Sequence, residues 1–164
     1  MDDLVQFLRA RYDEEHLLAI EAGDGSPARW LYAPELVWNG PDGPRKAVVH
    51  FMGSAKAFIA VVDPEHGEDG DWQGRHIARH DPARVLREVE AKRKIVDEYE
   101  QSRAMGKATA ANYVAWANNE SLPHPEADEG TAEKKKQESG LGRALCLLAL
   151  PYADHTDYQD AWRP

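Results

Sequence analysis

The stretch His76–Tyr99, HIARHDPARVLREVEAKRKIVDEY, decides the fold because it contains the start of a long amphipathic helix. Asp81 is a suitable N-cap, since its side-chain oxygen can accept a hydrogen bond from a free backbone N–H one turn later. Pro82 follows at the first helical position, where its missing N–H costs nothing and its fixed φ favours the helix. Apolar residues then recur at helical spacing, namely Val85, Leu86, Val89, Val96 and Tyr99. This apolar stripe predicts that other elements cover one side of the helix.

The N-terminal half predicts one helix and a small sheet. Residues 2–22 carry apolar side chains near one face and end at the Gly- and Pro-containing stretch GDGSP, which is typical of a helix and its stop. Residues 28–62 contain three short apolar segments with strand character. The loops between these segments are too short for helical crossovers, so the expected arrangement is antiparallel. Residues 63–74, rich in acids and Gly, are expected to form an exposed loop.

The C-terminal half predicts two more helical regions and an ordered tail. The helix that starts at residue 82 is expected to reach residue 103, or to continue to residue 118. Residues 132–150 change from charged to apolar along the segment and predict a buried C-terminal helix that Pro151 ends. Residues 151–164 contain Tyr and Trp side chains, which predict a tail packed on the body.

The predicted fold class is therefore α+β. We expect an antiparallel bundle of three or four helices, with a small antiparallel β-sheet near the N-terminal half. The length of 164 residues suits a single domain that covers residues 1–164.

Composition excludes several functional classes. The net charge of −9 argues against nucleic acid as a partner, because sequence-independent binding to phosphates requires clustered Lys and Arg. No apolar run approaches the roughly 18–20 residues of a membrane span, and the opening MDDLVQFLRARYDEE has acids where a secretion signal has bases. The single cysteine, Cys146, cannot form an internal disulfide and is typical of the reducing cytoplasm.

Four residues form the best candidate for metal chemistry. His76 and His80 are four residues apart and would lie on one helix face, as zinc ligands on a helix do. Cys146 and His155 could complete the set. The competing interpretation places both helical histidines at a helix entry near water and makes Cys146 a small buried thiol in an apolar segment. Asp81 already has a structural role as the cap.

Sequence motifs for catalysis or for a nucleotide cofactor are missing from the chain. The patterns GxxxxGK[ST], GxGxxG after a strand and GxSxG do not occur, so no catalytic residue and no cofactor is assigned. This favours a protein that is not an enzyme.

Three blocks of the sequence resemble a family of small proteins of unknown function from actinobacteria and their phages. The blocks are MDDLVQFLRARYDEE at the start, HIARHDPARVLREVEAKRKIVDEYE in the centre and LLALPYADHTDYQDAWRP at the end. The resemblance implies a setting, namely a phage, prophage or actinobacterial accessory gene, and it implies no reaction.

Three functional hypotheses follow from the sequence. The leading one is a non-enzymatic cytoplasmic protein that acts by binding another protein, as a homodimer, because the predicted helices have more apolar surface than a small bundle hides. The second is a metal-dependent hydrolase or a zinc-stabilised fold that uses His76, His80, Cys146 and His155. The third is an acidic protein that mimics nucleic acid or blocks a host defence factor.

Overall fold

The computed structural model describes residues 1–25, 28–41, 43–52, 55–62, 68–119 and 131–164. Its elements in chain order are α1 (Asp2–Ala22), β1 (Trp30–Gly40), β2 (Gly43–Met52), β3 (Ala55–Val62), α2 (Glu68–Arg79), α3 (Pro82–Ala117) and α4 (Thr131–Ala149). The chain divides into two compact units. Unit 1 comprises Met1–Tyr12 with Ala91–Pro164, and unit 2 comprises Asp13–Glu90. The expectation of a single domain over residues 1–164 stays a prediction.

Helix α3 begins at the residues that the sequence indicated. The backbone N–H of Arg84 donates to Oδ1 of Asp81 at 2.6 Å, which is the hydrogen bond of an N-cap. Pro82 is fully buried at the first helical position, and the N–H of Ala83 donates to the backbone oxygen of Ala28 at 3.0 Å. The helix then continues through Gly106 without a break and extends over 36 residues. The cap therefore fixes where this long helix starts.

In unit 1, α1 and the second part of α3 run antiparallel. Arg9 forms ion pairs with Asp97 at 2.7 Å and with Glu100 at 2.5 Å. Nearer the start of α1, Asp2 pairs with Arg103, so a lower residue number on α1 meets a higher number on α3. Buried apolar side chains of unit 1 come from three helices and the tail: Leu4, Leu8, Tyr12, Val96, Tyr99, Leu145, Ala149 and Trp162.

The tail of unit 1 packs against α1 through aromatic side chains. The ring of Phe7 lies 4.9 Å from the ring of Trp162 and 6.1 Å from that of Tyr158, measured between centroids. Trp162 is buried in a short 3₁₀ turn, Asp160–Trp162. Such offset and edge-to-face ring pairs stabilise a packed segment beyond the apolar area that they bury.

In unit 2, the three strands form an antiparallel sheet in the order β1-β2-β3. Residues 30–33 of β1 pair regularly with residues 47–50 of β2, and the register then shifts between Ala33 and Val37. Pro34 lies in this irregular part. Proline has no N–H to donate to a ladder, so it is tolerated at bulges and sheet edges. Ala33, Ala47 and Val49 form the buried cluster of this sheet, with Leu36 packed against them.

The expectation of an exposed loop at residues 63–74 is wrong for residues 68–74. Residues 68–74 belong to α2, which packs across all three strands, whereas residues 63–67 lie outside the described part of the chain. Gly74 is buried in α2 where a Cβ would overlap the ring of Tyr32. Glycine at this position therefore permits close packing of helix on sheet, although it lowers intrinsic helix propensity.

Over the ranges that it describes, the structure confirms the α+β fold class, with four helices and a small antiparallel sheet in the N-terminal half. Within the described ranges, no helix combines the length and apolar character needed to cross a bilayer.

Substitution Asp81→Ala should lower the free energy of unfolding by about 1 kcal/mol, because it removes the acceptor for the Arg84 N–H. Asp81→Asn, which keeps a side-chain oxygen, is the matched control and should lose less. Urea unfolding followed by circular dichroism measures both variants. An Asp81→Ala variant as stable as the wild type would show that the cap does not stabilise α3.

Substitution Gly74→Ala should destabilise the protein by about 1–3 kcal/mol, because the added Cβ overlaps Tyr32, whose hydroxyl is held by a hydrogen bond. Gly140→Ala in α4 is the control, since no atom lies within 4 Å of its added Cβ. That variant should gain about 0.5–1 kcal/mol from helix propensity. Chemical denaturation of the two variants compares them, and equal gains would contradict the packing described for Gly74.

Candidate functional site

Asp71 connects α2 to two strands of the sheet. Its Oδ1 accepts a hydrogen bond from the hydroxyl of Tyr32 on β1 at 2.5 Å. The same oxygen accepts one from Nζ of Lys46 on β2 at 2.5 Å, which is also an ion pair between half-buried groups. These two bonds set the rotation of α2 about its own axis. They therefore also set the directions in which the other faces of α2 point.

This cluster shifts the pKa values of two of its members. Burial, and then the hydrogen bond to Asp71, raise the pKa of Tyr32 to about 12. The hydrogen bonds from Lys46 and from Tyr32 lower the pKa of Asp71 below its usual value. At neutral pH the cluster thus holds a neutral phenol, a carboxylate and an ammonium group, and the carboxylate is the acceptor for both donors.

An open groove lies beside this cluster, between α2 and the first part of β1, with a volume of about 590 Å³. Trp72 is 70% exposed and Leu31 is 53% exposed, so two large apolar side chains are largely solvated here. We call this surface the α2–β1 groove, and its lining residues are Trp30, Leu31, Tyr32, Trp72, Arg75, His76, Ala78 and Arg79. Residues 72, 75, 76 and 79 follow the i, i+3, i+4, i+7 spacing of one helix face.

The helical side of the α2–β1 groove is basic. Arg75, His76 and Arg79 are all exposed, and the guanidinium of Arg75 lies 5.9 Å from the centre of the Tyr32 ring, a cation–π distance. In the part of the chain that the structure describes, no carboxylate forms an ion pair with Arg75 or Arg79. The groove therefore combines apolar rings with cationic side chains that are available to an anionic ligand.

Two of the four residues of the metal hypothesis lie next to each other in unit 2. The rings of His76 and His80 are 4.4 Å apart between centroids, as their four-residue spacing on a helix predicts. Nδ1 of His80 lies 2.9 Å from the backbone oxygen of His76, and both side chains are exposed. His76 also lines the α2–β1 groove, which the metal hypothesis did not foresee.

The other two residues of that hypothesis lie in unit 1. Nε2 of His155 contacts the guanidinium of Arg11, and its Nδ1 accepts the N–H of Asp157 at 3.1 Å. Cys146 is half-buried rather than enclosed in the core, and it lines an open depression with Tyr99. Among the described residues, no group of three or more His, Cys, Asp or Glu side chains is arranged to hold a metal ion. Metal binding by His76, His80, Cys146 and His155 stays a prediction.

The sequence interpretation missed the α2–β1 groove altogether. The glycines and acids of residues 63–74 indicated a loop, so Trp72 was not placed on the helix that was predicted to carry His76 and His80. The sequence did contain a signal for this surface. A polar segment that carries Trp and Arg at helical intervals is typical of a contact surface.

Comparison with known proteins gives one match. The model of a family described as a family of unknown function (DUF6221) matches residues 1–164. Neither the curated proteins nor the solved structures that were searched contain a match to the chain.

The titration of Tyr32 tests the Asp71 cluster. Phenolate absorbance is titrated with pH in the wild type and in Tyr32→Phe. The tyrosine signal that is missing from the variant should titrate near pH 12 in the wild type, whereas an ordinary tyrosine titrates near about pH 10. Asp71→Asn should lower the pKa of Tyr32 but leave it above about 10, because burial, the largest cause, persists. A missing tyrosine that titrates near pH 10 would contradict the cluster.

The same shifts give the sign of the pH dependence of stability. The raised pKa of Tyr32 stabilises the fold below pH about 10, and that contribution is lost as the pH rises towards 12. The lowered pKa of Asp71 stabilises the fold above pH about 4, and that contribution is lost as the pH falls through the folded-state value. In urea unfolding measured across pH, the alkaline dependence of stability should therefore be weaker in Tyr32→Phe than in the wild type, and the acid dependence should be weaker in Asp71→Asn.

Proposed function

The chain belongs to the DUF6221 family of unknown function, and we propose that it is a non-enzymatic protein that acts by binding another protein. The observation that carries the proposal is the exposure of Trp72, a large aromatic side chain that is 70% solvated at the edge of the α2–β1 groove. Exposed aromatic side chains grouped with other apolar residues mark interaction surfaces more often than they serve stability.

The composition of the groove supports a protein partner. Trp, Tyr and Arg are the residues most enriched among those that contribute most to protein–protein binding, and all three line this surface. Leu31, which also lines the groove, adds further exposed apolar area. Such a surface offers a partner an aromatic anchor with a cationic rim, which is the usual composition of a small contact site.

The cellular setting is proposed from sequence. The resemblance of the three blocks described above supports an accessory protein of actinobacteria or of their phages. The single cysteine supports a cytoplasmic location, because an isolated thiol is typical of reducing compartments.

We further propose that the protein works as a homodimer. Leu17 and Leu18 at the end of α1 are exposed although both are large and apolar, and neither lines the α2–β1 groove. Pairing two copies would remove such side chains from water, and most soluble oligomers are symmetric dimers. Light scattering at rising protein concentration should give twice the mass of the chain, and a strict monomer at high concentration would refute the dimer.

Substitution Trp72→Ala should weaken partner binding and leave folding intact. Because Trp72 is largely solvated, the variant should unfold within about 0.5 kcal/mol of the wild type. Truncation of an aromatic anchor should weaken binding by about tenfold or more. Immobilised wild-type and variant chains are compared for the proteins that each retains from an actinobacterial lysate, quantified by mass spectrometry.

The matched control is Met105→Ala, which removes an apolar side chain of similar exposure outside the groove and outside the proposed dimer surface. Retained proteins that depend on Trp72 and not on Met105 would support the proposed function. Identical retention by all three chains would refute it.

A further inference from the structure

Among the strands that the structure describes, β1 is an edge of the sheet in unit 2. The order β1-β2-β3 gives it one described neighbour, and residues 30–33 use one side of the strand to pair with β2. In the described ranges, no backbone hydrogen bond from outside the sheet reaches residues 30–40. Because backbone N–H and C=O groups alternate between the two sides of a strand, the outer side of residues 30–33 offers groups that can pair with another extended chain.

The first part of β1, residues 30–33, has the regular geometry that such pairing needs. Pro34 and the register shift between Ala33 and Val37 separate it from residues 37–40, which pair regularly with β2 again, and proline and bulges are features that block pairing along an edge. Residues 30–33 are also the part that borders the α2–β1 groove, through Trp30, Leu31 and Tyr32. An incoming strand would therefore lie next to the groove and not beyond the bulge.

The groove gives such a strand a specific composition. Successive side chains of an extended chain point to opposite faces, so every second residue of a strand added to β1 could reach the groove. Trp72 and Leu31 provide exposed apolar surface there, and Arg75 and Arg79 provide cationic groups. Asp71, the carboxylate that interacts with Arg75, is already bound by Lys46 and Tyr32.

From this juxtaposition we propose that the α2–β1 groove binds an extended acidic segment of the partner protein, which adds as a strand to residues 30–33 of β1. Apolar or aromatic residues of that segment contact Trp72, and its carboxylates pair with Arg75 and Arg79. The inference rests on the proposed function, since it specifies how the partner is held. Backbone pairing supplies affinity, whereas the apolar and acidic side chains supply specificity.

A protein segment is favoured over nucleic acid by the charge of the chain. Stacking on Trp72 and contacts from Arg75 and Arg79 would also suit a single-stranded nucleic acid. However, the net charge of −9 repels a polyanion, and two arginines release few counterions. An acidic peptide carries far fewer charges and can place them on the arginines alone.

A displayed library of random twelve-residue peptides, selected on the full chain, provides the probe. The enriched peptides should alternate apolar or aromatic residues with Asp or Glu, as a strand with one contact face requires. The best peptide is then synthesised with a fluorescent label, and its dissociation constant is measured by anisotropy. A copy with N-methyl groups on alternate amides, which cannot pair along one edge, should bind about tenfold more weakly or worse.

Charge-neutral variants test the arginines. The double substitution Arg75→Gln with Arg79→Gln should weaken peptide binding by about tenfold or more. The control is Arg29→Gln with Arg87→Gln, which neutralises two exposed arginines of the same unit outside the groove and should leave binding unchanged. Hydrogen exchange should show slower exchange of amides in residues 30–33 when the peptide is bound.

Several outcomes would overturn the proposal. Enriched peptides without acidic residues, equal binding by the N-methylated copy, or equal binding by the Arg75/Arg79 variant would each refute strand addition of an acidic segment. Tighter binding of a labelled twelve-residue oligothymidine than of any selected peptide would assign the groove to nucleic acid instead.

The experiments also separate the two proposals. If the peptide experiments fail while partner retention still depends on Trp72, the strand-addition mode is wrong and the proposed function stands. If Trp72→Ala changes nothing, the proposed function fails independently of the peptide result.

Discussion

The two hydrogen bonds that Asp71 accepts are the constraint on which the surface of unit 2 depends. One donor comes from β1 and the other from β2, so a single carboxylate ties α2 to two strands. Gly74, one turn later on α2, lies against Tyr32 and lets the helix approach the sheet. With residues 71 and 74 on the sheet side, helical geometry places Trp72 and Arg79 on the flank of α2 that lines the groove, and Arg75, one turn after Asp71, lies beside the Tyr32 ring.

Unit 1 uses charge differently. Arg9 bridges Asp97 and Glu100, and Asp2 pairs with Arg103, so acids on α1 and α3 fix how the two helices align. Exposed pairs of this kind contribute at most about 1 kcal/mol each, and burial of side chains such as Leu8 and Val96 contributes most of the stability. The hypothesis of an acidic mimic of nucleic acid stays a prediction. These three carboxylates form ion pairs within the chain.

Local signals in the sequence were sufficient for most of the fold. Asp81 and Pro82 identify the start of α3 because capping and proline preference act within one turn. The antiparallel sheet follows from apolar segments joined by short loops, and the aromatic residues of the tail predict that it packs on the body, where the structure shows Trp162 against Phe7. Each of these inferences depends on residues close together in the chain.

The candidate site was not predictable in the same way. The bond between Tyr32 and Asp71 joins residues 39 positions apart, and no local pattern reveals such a contact. The first part of helix α2 was assigned to a loop because glycines such as Gly74 disfavour a helix by propensity, whereas packing against Tyr32 requires glycine there. Cys146 was expected in the core because its neighbours are apolar, but α4 turns that side chain towards an open depression.

The central claim is that the α2–β1 groove presents Trp72 to solvent beside cationic side chains, and fluorescence quenching by iodide tests it most directly. Of the five tryptophans, all in the described part of the chain, only Trp72 is exposed. Iodide, an anion, should therefore quench mainly Trp72, and Trp72→Phe should remove most of the quenchable signal. Replacing Arg75 and Arg79 with Gln should reduce quenching by iodide and leave quenching by neutral acrylamide unchanged. Iodide quenching that is the same in Trp72→Phe as in the wild type would contradict the account.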